Sequence, residues 1–154
     1  MAVLTWGFAM IHLGIAAVWL GSMAYSLRVV QPALDRAIDD LVRREELVTT
    51  LAQGNRWRVV GLIGGVIVSG SAVALLADGS VTIGYAVAVG LYLVAAAIFA
   101  NVSWRHWPAR VFALPDEIPR FRQSLRRQAT TMLGLVGCAY GVALGVTTAS
   151  GAVP

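Results

Sequence analysis

Four stretches of the chain are apolar almost without interruption, near residues 3–27, 59–77, 81–104 and 129–148, and charged residues are confined to the segments between them. Each stretch is close to the twenty residues that a helix needs to cross a hydrocarbon core of about 30 Å. No water is available in that core to satisfy free backbone groups, so such segments are expected to be helical. The pattern predicts an all-α fold, an integral membrane four-helix bundle forming one membrane domain over residues 1–154.

The two long connections read differently. Residues 28–58 include "QPALDRAIDDLVRREELVTTLAQGNRWR", where Leu34, Ile38, Leu41, Val48 and Ala52 recur mostly three or four apart and Pro32 suits a first helical turn. Asp39 with Arg43 and Asp40 with Arg44 are spaced as i,i+4 pairs. An amphipathic helix is expected here, continuing span one and covering the base of the bundle. Its mixed charges argue against a uniformly basic anchor for anionic lipid. Residues 105–128 contain Pro108, Pro115 and Pro119 and are expected to be irregular until a short helical piece leads into span four. Trp57, Trp104 and Trp107 fit the membrane interface.

Composition supports the membrane reading: 58% of residues are hydrophobic and 13% charged, mean hydropathy is +0.72, and soluble domains carry about 25% charged residues. The net charge of +4 is no argument for nucleic acid, because the basic residues flank apolar spans. All twelve are arginines. Arg28, Arg36, Arg43, Arg44, Arg56 and Arg58 lie around the first long connection, and Arg105, Arg110, Arg120, Arg122, Arg126 and Arg127 lie in the second; neither terminus nor the "ADGSVT" turn has any. Basic residues collect on the cytoplasmic side. This predicts cytoplasmic connections and two extracytoplasmic termini, in the cell's inner membrane. Nothing basic precedes Arg28, so the first stretch is expected to be a retained span and not a cleaved signal.

Small residues mark faces on the spans. Gly61, Gly65 and Ser69 in span two, and Gly137, Gly141 and Gly145 in span four, each recur every four residues, a spacing that lets helices approach closely in lipid. These positions are expected to be helix contacts, within the chain, in a homo-oligomer or in a larger membrane complex. In span one Gly7, Gly14 and Gly21 share a stripe, with His12, Trp19 and Met23 on roughly the opposite side.

His12 is the most informative residue. An ionisable group inside a span normally faces a bundle interior or a cavity. Cys138, Met10 and Met23 are further candidate donors, with Met132 and Tyr140, and thiolate, thioether and imidazole together suit copper(I). The plainer alternative is that His12 hydrogen-bonds across helices while the sulfur residues pack. Haem is the other cofactor option, with His12 as a single axial ligand. His106 is expected at the cytoplasmic end of span three and His12 in the outer half of span one, which excludes a bis-histidine haem within one chain, and His106 is expected to be an interfacial residue. No carboxylate lies in a span, and no phosphate loop, nucleophile elbow or zinc-protease motif occurs, so an enzyme is not the first expectation.

The string "IHLGIAAVWLGSMAYSLRVVQPAL" resembles the start of a four-helix unit in the copper resistance protein D (CopD) family, carried by His12, Trp19, Gly21 and Pro32 to Leu34. "NRWRVVGLIGGVIVSG" is similar to that family's arginine-flanked entry to a glycine-containing second span, with Arg56, Trp57 and Arg58. The resemblance implies a membrane protein of copper uptake or tolerance with His12 as the family-type histidine. Larger members have about eight spans, which implies a dimer here for a complete pathway. The haem-binding protoporphyrinogen oxidases of the HemJ type also carry a first-span histidine but pair it with a lysine, and this chain has no lysine. A small accessory subunit of a respiratory or oxidase-type complex is the alternative expectation, and a haem-binding membrane protein the third.

Overall fold

The computed structural model of the chain describes residues 2–106 and 118–150. Helix α1 (Ala2–Tyr25) runs through a π-helical turn (Ser26–Val30) into α2 (Gln31–Ala37), α3 covers Leu41–Leu76, α4 covers Gly79–Asn101 and passes into a second π-helical turn (Val102–His106), and α5 covers Ile118–Ala149. No strand occurs among the described residues. Four helical stretches, built on α1, α3, α4 and α5, are long and apolar enough to cross a membrane. The all-α four-helix bundle expected from the hydrophobic pattern is the fold.

The four spans form a closed ring: α1 packs on α3 and α5, and α4 packs on the same two helices from the other side. The outer surface of the ring is apolar, unlike that of a water-soluble bundle, and its mostly apolar interior also holds polar groups. Large apolar side chains such as Leu4, Val68, Leu75 and Ile83 point outward, while His12, Ser69, Ser103 and Thr147 are buried. Outward apolar side chains are stable against lipid tails, and inward polar groups find partners on their own helix or across the bundle.

The connection between α3 and α4 is two residues, Ala77 and Asp78, with Asp78 extended as the residue before α4. Gly79 follows at φ 61°, a left-handed conformation that side chains rarely adopt. The Thr82 hydroxyl donates to the Ala77 carbonyl at 2.6 Å and steadies the turn.

The amphipathic segment departs from a single helix. It is split at residues 38–40, where Ile38 is extended (φ −130°, ψ 104°), and the two parts join different spans. Gln31–Ala37 continues span one, whereas everything from Leu41 onward is continuous with span two. The sequence Asp39-Asp40 gives the physical reason, since aspartates favour helix starts over helix interiors, and the amide of Arg44 bonds the Asp40 carbonyl at 3.0 Å to open α3. With 36 residues, α3 is about 54 Å long, so its first turns project well beyond a bilayer core.

Those projecting turns meet α5. Arg122 lies 2.5 Å from Asp35 and 3.5 Å from Glu45, and Arg44 lies 3.3 Å from Asp35. The Arg122–Asp35 pair, 36% and 45% exposed, contributes about 0–1 kcal/mol, and the three pairs together fix where α2 and α3 sit against α5. Arg56 donates to the Ser103 carbonyl at 2.8 Å and lies over Trp104, 5.4 Å from the ring centre. The described parts of both arginine-bearing connections therefore gather at one end of the bundle. Trp107 lies outside the described residues.

Candidate functional site

The buried polar groups concentrate around His12. Helix α1 carries its ring inward, fully buried, against Val66, Ser69 and Gly70 of α3 and between Tyr85 and Tyr92 of α4. Ring centres lie 5.2 Å apart for His12 and Tyr85, 5.4 Å for His12 and Tyr92, and 5.9 Å for Tyr92 and Trp19. A run of four aromatic rings thus links α1 to α4 along the bundle interior.

The hydrogen bonds assign the ring's two nitrogens. Nδ1 lies 2.9 Å from the Val66 carbonyl oxygen, and a carbonyl only accepts, so Nδ1 carries a proton. The Ser69 hydroxyl, 3.4 Å from the same nitrogen, donates its own hydrogen to the Gly65 carbonyl at 2.6 Å. Nε2 has no partner, and neither does the Tyr92 hydroxyl; both atoms are buried. The Tyr85 hydroxyl, in contrast, is satisfied: it donates to Thr147 Oγ1 at 2.8 Å, and Thr147 donates to the Ala143 carbonyl at 2.7 Å. A buried polar atom without a partner costs about 1–3 kcal/mol, and in native structures it commonly marks a catalytic group or the place of a water or ion.

Two glycines make this packing possible. A Cβ on Gly70 would stand 2.8 Å from His12 Cε1, 2.9 Å from Nδ1 and 2.8 Å from Val89 Cγ2. A Cβ on Gly84 would stand 2.5 Å from Val146 Cγ1, so α4 and α5 approach closely where Tyr85 meets Thr147.

The expected donors are not brought together. Cys138 is exposed, and Met10 is 36% exposed, two residues and therefore about 200° around the helix from His12. Met23 packs beside the core but lies eleven residues along α1, about 16 Å away at 1.5 Å per residue. A single ion shared by His12, Cys138, Met10 and Met23 is not supported by this arrangement. Among the described residues no three His, Cys, Asp or Glu side chains converge. The His106 side chain lies outside the described residues.

The glycine faces divide. Gly65 meets Ile15 and Ser69 meets His12, both inside the bundle, and Gly137 reaches Leu20 at 3.8 Å. Gly61, Gly141 and Gly145 have open space in front of them, as do Gly7, Gly14 and Gly21. The expected contact faces are thus internal at Gly65, Ser69 and Gly137 and outward at the rest.

Four residues of the site escaped sequence reasoning: Tyr85, Tyr92, Gly70 and Gly84. The available signal was in α4, where Tyr85, Ala88, Tyr92 and Ala95 fall on one face and are all buried. Alternating small residues and aromatics with polar tips on one face of a span is a pattern of inward packing.

Fold and site together define a multi-pass four-helix membrane bundle with a buried imidazole at its centre. Comparisons with protein-family models, with curated proteins and with solved structures give no match.

Proposed function

We propose that the chain is a CopD-like integral membrane protein that handles copper or a related redox metal, with His12 as the group that meets the ion. The division of roles within its imidazole supports this most: Nδ1 is held by the Val66 carbonyl, and Nε2 is buried with no partner. Liganding histidines characteristically donate the other ring N–H to a carbonyl or carboxylate, which fixes the ring and leaves the second lone pair for the metal. The unpartnered Tyr92 hydroxyl belongs to the same aromatic cluster and supplies oxygen in place of the expected sulfur. Nitrogen with oxygen suits copper(II) better than copper(I). A porphyrin fits less well, because the His12 ring is enclosed on all sides by α3 and α4. The gathering of arginines at one end of the bundle supports an inner-membrane orientation with that end cytoplasmic and both termini outside.

Copper analysis of the detergent-purified protein, loaded under oxidising and reducing conditions, tests the proposal. Stoichiometric copper that is lost in a folded His12→Ala variant is the expected result. Equal copper in the variant, or none in either protein, would remove His12 from this role.

The outward glycines favour a second reading, an accessory subunit of a membrane complex. Gly14, Gly141 and Gly145 leave space on the lipid-facing surface for another helix, and such faces drive association in bilayers. A chain of fixed stoichiometry that co-purifies in mild detergent, without metal, would select it.

A further inference from the structure

The arginine-bearing end of the bundle is not closed. A chamber of about 650 Å³ opens there, framed on one side by the first π-helical turn through Ser26 and Val30 and on the other by the second through Val102 and Ser103. π-helical turns widen a helix locally and recur at functional sites. Here two of them, following α1 and α4 from opposite sides of the ring, line the same chamber.

The chamber wall combines basic, polar and apolar side chains. Arg56, Arg58, Gln53 and Asn55 line it together with Val59, Phe99 and Met132. A smaller space of about 190 Å³ shares Ser26, Gln31, Asn55, Val59, Phe99 and Met132 with it and extends inward as far as Met23 and Trp19. Among the described lining residues of the chamber there is no aspartate or glutamate. Two acids of this end are engaged elsewhere: Asp35 pairs with Arg122 and Arg44, and Glu45 pairs with Arg122, on the side facing α5. Arg56 spends one of its five donors on the Ser103 carbonyl, and the rest of the guanidinium is held in place by Trp104.

Two arginines beside Val59, Phe99 and Met132, at the end of the bundle where the apolar spans meet their charged connections, match one class of ligand. We propose that this chamber binds an anionic phospholipid, its phosphate against Arg56 and Arg58 and an acyl chain along Val59, Phe99 and Met132. Basic pockets between spans on the cytoplasmic side recognise acidic headgroups in this way. The sequence pattern of mixed charges along residues 28–58 conceals the site, because only the folded chain separates the acids from these two arginines.

Native mass spectrometry of the delipidated full-length protein provides the test, with phosphatidylglycerol and phosphatidylcholine of identical chains as probes. Phosphatidylglycerol is expected to bind about tenfold more tightly or better, because the choline of phosphatidylcholine places a cation beside the two arginines and cancels the phosphate's net charge, whereas phosphatidylglycerol keeps it. Arg58→Gln, at an exposed position, and Arg56→Gln are each expected to reduce that preference, while Arg36→Gln, outside the chamber, leaves it unchanged. Glycerophosphoglycerol, the same headgroup without chains, is expected not to compete. Equal binding of the two lipids, wild-type preference in both chamber variants, or full competition by the chainless headgroup would each overturn the proposal. Arg58→Gln carries the decision if Arg56→Gln proves unfolded.

Discussion

Replacing Gly70 with alanine is the sharpest test of how tightly the His12 site is packed. The new Cβ would stand 2.8 Å from His12 Cε1, 2.9 Å from its Nδ1 and 2.8 Å from Val89 Cγ2. Real Cβ atoms essentially never come so close, so the imidazole, Val89 or the α3 backbone must move. Overpacking of this kind costs about 1–3 kcal/mol. If the ring moves, its bond to the Val66 carbonyl is lost as well, worth about 0.6–1.7 kcal/mol in a membrane helix. Alanine's better helix propensity offsets up to about 1 kcal/mol of this. The balance is a destabilisation of about 1–3 kcal/mol. Gly141→Ala is the matched control, since its Cβ meets nothing within 4 Å; that variant is expected to be neutral or slightly stabilised. Reversible unfolding in mixed micelles, followed by far-ultraviolet circular dichroism, measures both. Equal stability of Gly70→Ala, Gly141→Ala and wild type would refute the claim that α3 is held against His12 at this position.

Three further outcomes are expected. Tyr85→Phe removes the donor to Thr147 but leaves Thr147 bonded to the Ala143 carbonyl, so unfolding in the same micelles should show a loss of about 0.5–1.5 kcal/mol and no change in copper stoichiometry. Gly79→Ala forces a side chain into the left-handed region at φ 61° and should cost about 1–2 kcal/mol, whereas Gly64→Ala, with open space in front of it, should cost nothing. In a Cys138→Ser background, single cysteines at the two termini are expected to react with a membrane-impermeant maleimide from outside the cell; protection of either would contradict the orientation drawn from the arginines.

The hydrophobic pattern made the fold readable because a bilayer imposes one length and one type of spanning helix on every crossing. The Asp78-Gly79 turn was equally open to view, as a polar pair between two apolar runs. The break at residues 38–40 was not, since the apolar spacing of Leu34, Ile38 and Leu41 continues across it and only the adjacent Asp39 and Asp40 argue for a new helix start. At the site, His12 stood out as an ionisable group among apolar neighbours. Its surroundings did not, because Tyr85 and Tyr92 come from another span and Gly70 from a third. Helical spacing reports which residues share a face and not which faces meet. The same limit scattered the expected donors: Met10 and Cys138 are close to the right depth in sequence, but both are turned outward.

The state of the His12 ring bears most directly on the account, and nitrogen-15 NMR of the histidine-labelled protein in bilayers reads it. A proton on Nδ1 donated to the Val66 carbonyl, with a bare Nε2, is the arrangement the geometry requires, and copper should perturb the Nε2 resonance while leaving the His106 signals unchanged. A proton on Nε2 with a bare Nδ1, or an Nε2 resonance indifferent to stoichiometric copper, would contradict it.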